Sequence, residues 1–167
     1  QPSGMKTVQI RTASQMFDEV KANLAGDDLF FAVAAVADYT PAAPKTQKIK
    51  KSADKMTIDL LPTTDILAWV ASQNHAPFCV GFAAESENVV DYAHKKREKK
   101  RIPMIVANLA TEAIGADTNS VTIIDEAGEH PVAPSPKSEI ARKVVLHATH
   151  LFLGDKTTPA GASISPA

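Results

Sequence analysis

Uninterrupted apolar runs along this chain predict strands that are buried within a sheet. Residues 29–36 and 78–82 are almost entirely apolar and do not alternate with polar residues, and residues 103–107 form a third such run. Runs of this kind are typical of parallel strands covered on both faces. The shorter segment 7–10 predicts one further strand.

Helical patterns separate these runs. Thr12 and Gln15 form a capping pair ahead of apolar positions three and four apart, which predicts a helix over 12–26. We expect Thr64 to cap a second helix and Ser86, followed by Glu87, to cap a third that ends in cations. Residues 138–153 predict the closing helix.

The remaining segments predict two antiparallel features. Residues 120–125 and 130–133 read as a hairpin. Residues 40–62 contain Pro41, Pro44 and five lysines and then alternate over 56–60, which predicts a β-ribbon around a lysine-bearing loop. The order of strands and helices indicates an α/β fold with a mostly parallel sheet and helices on both faces.

Composition is that of one globular domain. The chain has 167 residues, 44% of them apolar, and a single cysteine, Cys79, so no internal disulfide can form. We expect a cytoplasmic protein without a membrane span. Residues 1–4 carry no signal-peptide pattern and suggest the interior of a longer chain. We expect the domain to cover 1–155 and residues 156–167 to be a disordered tail.

Charge is segregated although the net charge is only −1. The segments 45–55 and 95–101 together hold 11 of the 18 basic residues. The balanced total argues against general affinity for nucleic acid or membranes, whereas the two clusters favour a site for an anionic ligand. Ligands of parallel sheets bind beyond the carboxyl ends of the strands.

The first candidate residues lie at and just beyond the end of the run at 29–36. Ala34 and Ala35 are small enough to let a ligand approach the backbone, and Asp38 offers a carboxylate there; a close-packed strand with an acidic turn is the alternative. Lys48 lies in the lysine-bearing loop, which either closes over a polyphosphate or is a solvated ribbon protected by its charges.

Later candidates repeat the same arrangement of strand end and helix start. Thr63, Thr64, Asp65 and Ile66 could present free N–H groups to a ligand or merely cap a helix. Phe82 could stack on a base or end a core strand. Lys96 and Lys100 lie four residues apart and thus on one helix face, where they could bridge phosphates or form a solvated basic surface.

Other chemistries have no support in the sequence. It contains no HExxH, no Cys/His ligand spacing, no GxSxG and no P-loop, so no protein-ligated metal is expected. His147 and His150 are predicted to be surface residues of the last helix, and Cys79 to be buried and inert.

Taken in order, these segments resemble the phosphopantothenoylcysteine synthetase family, the C-terminal half of a bifunctional coenzyme A biosynthesis flavoprotein. The matching pieces are AAVADY at 34–39, KIKK at 48–51, TTDI at 63–66, GFAAE at 81–85, KKREKK at 95–100 and VAN at 106–108. The resemblance implies a Rossmann-like fold and a ligase that joins 4′-phosphopantothenate to cysteine through an acyl-cytidylate formed from CTP, with Mg²⁺ bound through the nucleotide phosphates.

The resemblance also implies roles for individual residues. Asp38 and Phe82 would contact the base and ribose, and residues 63–66 would frame the base through backbone groups. Lys48 would be the catalytic residue on a flap over the reacting phosphate, while Lys96 and Lys100 would hold the triphosphate. Ala34 and Ala35 would line the substrate channel, and residues 40–62 would form part of a homodimer interface.

The sequence departs from the family pattern in two places. Thr63 and Thr64 stand where many relatives have Asn-Pro. The family's opening strand, glycine-rich turn and asparagine-bearing segment do not occur in this sequence, nor does the decarboxylase half, so no flavin is expected here. A non-catalytic CTP-binding or dimerisation module therefore remains the alternative function, and a fused or associated flavoprotein decarboxylase is an expected partner.

Overall fold

The computed structural model describes residues 4–51, 55–109 and 117–157. Its helices are α1 (Ala13–Asn23), α2 (Ile66–Ala71), α3 (Val89–Lys100) and α4 (Lys137–Thr157). Its strands are β1 (Leu29–Ala32), β2 (Tyr39–Pro41), β3 (Leu60–Pro62), β4 (Phe78–Glu85), β5 (Met104–Leu109), β6 (Thr118–Ile124) and β7 (Glu129–Pro136).

A five-stranded sheet in the order β1-β4-β5-β6-β7 forms the centre of the fold. The strands β1, β4 and β5 are parallel, whereas β6 and β7 are antiparallel to their neighbours. The predicted mostly parallel sheet and the hairpin near the C-terminus are therefore confirmed. The strands β2 and β3 form a separate antiparallel ribbon, in which Tyr39 pairs with Pro62.

Helices cover both faces of the sheet, as predicted. One apolar layer joins α2 and α3 to Cys79 and Ala83 of β4, and side chains of α1 pack against the same layer. On the other face, Ile140, Val144 and Ala148 of α4 pack against Val80 of β4 and its neighbours. The spacing of four in α4 keeps these three on one helix face, and burial of each large aliphatic side chain contributes about 1.5–3 kcal/mol.

The approach of α2 to β4 depends on Gly81. A Cβ atom at this position would lie 2.7 Å from Cδ1 of Ile102 and 2.9 Å from Cδ2 of Leu67. Both of those side chains are buried. Glycine therefore allows close contact between the sheet and the layer above it, at the start of the GFAAE segment.

Three strand predictions need correction. Residues 7–10 form no strand, because among the described residues no neighbouring strand offers its backbone groups to them. The run at 29–36 is a strand only to Ala32, the last residue that pairs with β4, and its side chains are only half-buried. Of residues 56–60 only Leu60 belongs to the ribbon, since no partner strand lies opposite the residues before it.

The helix starts also required corrections, although Thr12 caps α1 as predicted by accepting a hydrogen bond from the N–H of Gln15. Asp65, and not Thr64, caps α2, because its carboxylate accepts a hydrogen bond from the N–H of Ala68 at 3.0 Å. The third helix begins three residues after Ser86, at Val89, and Asn88 precedes it with a φ of 46°. Asparagine tolerates this left-handed conformation, which turns the chain from β4 into α3.

The C-terminal helix extends beyond its predicted end. It reaches Thr157, so the first two residues of the predicted tail 156–167 are helical, and residues 158–167 lie outside the described part. Among the helices that the structure describes, none combines the length and the apolar character needed to cross a membrane.

Candidate functional site

Hydrogen bonds join the residue that follows the ribbon to the segment that follows β1. The N–H of Thr63 donates a hydrogen bond to the carbonyl of Asp38 at 2.8 Å. The hydroxyl of Thr63 donates a second hydrogen bond, to the carbonyl of Ala37 at 2.6 Å. These two bonds bring together segments 26 residues apart, so two of the predicted site segments lie side by side. Ala34, Ala35 and Asp38 are exposed beyond the carboxyl end of β1.

Asp65 and Lys100 connect the start of α2 with the end of α3. The carboxylate of Asp65 accepts a hydrogen bond from the N–H of Ala68 and forms an ion pair with the ammonium group of Lys100. Burial opposes ionisation of Asp65, but the hydrogen bonds from Lys100 and Ala68, with the charges of Lys100 and Lys96, outweigh it and lower its pKa. Asp65 is therefore a carboxylate at neutral pH.

Lys96 and Glu85 form a second ion pair next to the first. The Nζ atom of Lys96 lies 3.3 Å from Oε1 of Glu85, the last residue of β4. Lys96 stands four residues before Lys100 on α3, so both ammonium groups project from one face of the helix, as predicted. Each of them is held by a carboxylate that belongs to a different element of the fold.

The lysine-bearing loop takes no part in these ion pairs. Lys48 is exposed, and within the described residues no hydrogen bond or ion pair joins its side chain to Asp65 or Glu85. The ribbon of β2 and β3 and the loop between these strands expose a group of apolar side chains. Each is accessible over more than half of its surface: Tyr39, Ile49, Met56, Ile58, Leu60 and Leu61.

The remaining predicted residues occupy less direct positions. Ile66 is buried in the core, so only its backbone could face a ligand, while Thr64 is exposed. Phe82 is half-buried and packs against the core layer beneath α4, on the face of the sheet opposite α3. Phe82 is thus a core residue, as in the alternative, but it does not end the strand, which continues through the buried Ala83 to Glu85.

Two sets of polar residues were not assigned a role by sequence reasoning. Glu85 belongs to the GFAAE segment, and its position at a strand end was the available signal. Asp125, His130 and His147 come together at the other edge of the sheet. The prediction that His147 is a surface residue is wrong in part, because its ring contacts the buried Asp125. No local pattern could show this, since the contact spans 22 residues.

Cys79 takes no part in the site. Its thiol is buried in the layer beneath α2 and α3, and burial raises its pKa to about 11. The thiol is thus protonated at neutral pH and shielded from reagents, in agreement with the prediction that it is inert.

The arrangement is suited to binding a polyanion. Lys96 and Lys100 are adjacent cations whose present partners, Glu85 and Asp65, are themselves only partly buried. A phosphate chain offers more negative charge than either carboxylate and could replace them with modest desolvation. The fold is that of a Rossmann-like α/β domain, and its candidate site is a pair of lysines held by carboxylates.

Comparison with known proteins identifies the family. Residues 1–151 match the model of the DNA/pantothenate metabolism flavoprotein C-terminal domain. The chain belongs to this family, and the resemblance to phosphopantothenoylcysteine synthetase is confirmed.

Curated relatives support the assignment. The coenzyme A biosynthesis bifunctional protein CoaBC of Vibrio parahaemolyticus is 37% identical over 150 residues, which are 86% of this chain and 38% of that protein. The CoaBC of Escherichia coli is 36% identical over 152 residues, 87% of this chain and 37% of that protein. The chain thus spans less than two fifths of the length of these relatives.

Solved structures support the fold. The C-terminal domain of CoaBC superimposes with a TM-score of 0.74 at 32% identity, covering 92% of this chain and 69% of that one. A Cab2 mutant in complex with phosphopantothenate-cysteine gives a TM-score of 0.69 at 17% identity, covering 89% of this chain and 54% of that one. At this identity the second likeness concerns the fold alone.

Proposed function

We propose that this chain carries the ligase site that joins 4′-phosphopantothenate to cysteine, with CTP as the activating nucleotide. The observation that carries the proposal is the pair Lys96 and Lys100, held by Glu85 and Asp65 in a chain of this family. The names of the relatives place them in coenzyme A biosynthesis, and a neighbour of the same fold was solved with phosphopantothenate-cysteine.

The reaction would proceed in two steps. An oxygen of the substrate carboxylate attacks the α-phosphorus of CTP, and the bond from that phosphorus to the β-phosphate oxygen breaks, releasing pyrophosphate. The amine of cysteine then attacks the acyl carbon of the acyl-cytidylate, loses a proton and expels CMP. Both steps bring anions or electron-rich groups together, so fixed positive charge must offset their repulsion.

The residues would divide this work by position. Lys96 and Lys100 would exchange their carboxylate partners for the triphosphate and hold the leaving pyrophosphate. Asp38 and the backbone of residues 63–66 would contact the base and ribose, because Thr63 ties these two segments together. Phe82 would have to turn from its present packing to stack on the base.

The flap and the substrate side complete the proposal. Lys48, in the exposed lysine-bearing loop, would close over the reacting phosphate and stabilise charge on it. The exposed Ala34 and Ala35 would line the channel for 4′-phosphopantothenate. The apolar surface of residues 40–62, centred on Leu60 and Leu61, would be covered by a second copy in a homodimer.

Magnesium would enter with the nucleotide. The carboxylates of Glu85 and Asp65 stand beside the lysines that would hold the phosphates, and carboxylate and phosphate oxygens are the ligands that Mg²⁺ prefers, so the residue set fits. When bound, the ion supplies charge neutralisation on the phosphates. The relatives' names further suggest a flavoprotein partner, fused or associated, and a cytoplasmic location stays a prediction.

Pyrophosphate release tests the proposal. The chain is mixed with CTP and 4′-phosphopantothenate, and a second sample uses ATP. We expect release that requires both CTP and the substrate, and Lys48→Ala should lower the rate more than it weakens CTP binding, while Lys45→Ala should leave both nearly unchanged. CTP binding without any release would favour the non-catalytic module instead.

A further inference from the structure

Asp125, His130 and His147 form a compact cluster that takes no part in the ion pairs of Lys96 and Lys100. One ligand atom from each residue lies within 4.8 Å of the other two. Asp125 follows β6, which runs antiparallel to β5, and the preceding Ile124 pairs with Ile105 near the start of β5. The cluster therefore lies at the amino edge of the parallel strands, whereas Glu85 ends β4 at the carboxyl edge.

The carboxylate of Asp125 is fixed by the turn between β6 and β7. Asp125 is only 3% exposed, and its Oδ1 atom accepts hydrogen bonds from the N–H groups of Ala127 at 2.8 Å and Gly128 at 3.2 Å. These bonds orient the carboxylate, whose Oδ2 contacts His147 and whose two oxygens both contact His130. Hydrogen bonds from neighbouring groups hold metal-binding carboxylates in this way.

Both imidazole rings direct the same nitrogen at this carboxylate. Nε2 of His147 lies 2.6 Å from Oδ2, and Nε2 of His130 lies 3.1 Å from the carboxylate oxygens. The ring centroids are 4.7 Å apart. Two neutral imidazoles with one carboxylate are a ligand set that binds zinc and other divalent transition metals.

We propose that Asp125, His130 and His147 bind a divalent transition-metal ion, with zinc as the favoured metal. A tetrahedral zinc ion with ligand distances of about 2.0 Å requires ligand atoms roughly 3.3 Å apart. The His130–Asp125 distance already approaches this value, and the His147–Asp125 contact needs to lengthen by less than about 1 Å. The ligand nitrogens of the two histidines, which lie within 4.8 Å of each other, need to approach by up to about 1.5 Å. The side chains of His130 and His147 remain 40% and 25% exposed, so a water molecule can complete the coordination.

The bound ion would connect three elements of the fold. Asp125 lies at the end of β6, His130 in β7 and His147 in the middle of α4. A metal bound only by the folded arrangement stabilises it by mass action, so the ion would hold α4 against the hairpin. The alternative is a hydrogen-bonded cluster that binds no metal, in which both Nε2 atoms carry protons.

Cobalt binding tests the proposal without any activity assay. The chain is stripped with a chelator, titrated with Co²⁺ in the absence of nucleotide, and then competed with Zn²⁺. We expect one Co²⁺ per chain with the intense visible absorption of a tetrahedral site. His130→Gln and His147→Gln should each weaken binding at least about tenfold, because glutamine is a poor ligand for these metals. His150→Gln, an exposed change on the same helix, should alter it less than twofold.

Thermal unfolding supplies a second readout. Zn²⁺ in hundredfold excess over its Kd should raise the Tm of the wild-type chain and of His150→Gln by several degrees, and not that of His147→Gln. Absence of binding, or binding unchanged in both His130→Gln and His147→Gln, overturns the proposal. Equal losses in His147→Gln and His150→Gln, with none in His130→Gln, would instead show a surface chelate on α4 and would also overturn it.

If a variant folds poorly, the NMR signals of the imidazole rings in the wild-type chain test the metal site instead. Zinc must then shift the signals of His130 and His147 and leave those of His75 and His150 in place. Shifts confined to His75 or His150, or no shifts at all, contradict the site.

Discussion

The ammonium group of Lys100 at the end of α3 forms an ion pair with the carboxylate of Asp65, which caps α2. The two residues are 35 positions apart, and their contact places a cation at the segment 63–66. Lys96 is held next to it by Glu85. The two lysines thus have defined positions before any ligand arrives, which reduces the entropy lost on binding.

Removal of Lys100 should weaken nucleotide binding. In Lys100→Gln we expect the Kd for CTP to rise about tenfold or more, the effect of losing one charge-assisted contact of about 1.4–3 kcal/mol. Lys99→Gln removes the same charge from an exposed neighbouring position and should change the Kd less than twofold. Calorimetric titration measures both, and equal Kd values would contradict the assigned role of Lys100.

Asp65 should make stability depend on pH in the acid range. Its pKa is lowered in the folded chain, so its charge stabilises the fold above the unfolded value of 3.8, and this contribution is lost as the pH falls through the lower folded value. Asp65→Asn keeps a capping side chain and removes the charge. We expect the wild-type chain to be more stable by less than about 1 kcal/mol at pH 7, with the difference shrinking as the pH falls below 3.8.

Urea unfolding at several pH values measures this difference. Asp18→Asn, an exposed change on α1, is the matched control and should show no comparable trend. A difference between wild type and Asp65→Asn that grows as the pH falls would contradict the stabilising ion pair.

Gly81→Ala should destabilise the fold by overpacking. The added methyl group would meet Ile102 and Leu67 at distances below 3.0 Å, and inserting a methyl group into a packed core costs about 1–3 kcal/mol. Ile102→Val removes the nearer atom. We expect the double variant to be more stable than the sum of the single effects predicts, and strict additivity would show that the two sites do not touch.

Local features of this fold were predictable from the sequence, and long-range ones were not. Thr12 and Gln15 identify the start of α1 because capping acts within one turn. At α2, Thr64 and Asp65 are both good caps, so the sequence could not choose between them. Residues 7–10 carry a strand pattern, but a strand also needs a partner, which local pattern does not reveal.

In the candidate site, too, local features were predictable from the sequence and long-range contacts were not. The sequence placed Asp65 at a helix start and Lys96 and Lys100 on one helix face, as the structure has them, whereas Asp38 lies six residues beyond the end of β1. The ion pair of Lys96 with Glu85 and the contact of His147 with Asp125 depend on the packing of elements that are distant along the chain. Nothing within a window of about ten residues encodes such contacts.

The apolar surface of residues 40–62 should mediate association between two copies of the chain. Leu61→Asp places a charge in a surface that is 53% exposed at that residue, and we expect it to convert a dimer into a monomer at micromolar concentration. Leu146→Asp, at a residue of α4 that is 48% exposed, is the matched control and should leave the assembly unchanged. Sedimentation equilibrium measures the mass, and a wild-type monomer at high concentration would contradict the interface.

Isotope transfer tests the central claim most directly. 4′-Phosphopantothenate with a heavy oxygen isotope in its carboxylate is incubated with the chain, CTP and cysteine, and the products are weighed by mass spectrometry. With both carboxylate oxygens labelled, attack on the α-phosphorus predicts one heavy oxygen in CMP, one retained in the amide carbonyl of 4′-phosphopantothenoylcysteine, and none in pyrophosphate. CMP without the label, or label in inorganic phosphate with CDP as the nucleotide product, would contradict an acyl-cytidylate mechanism.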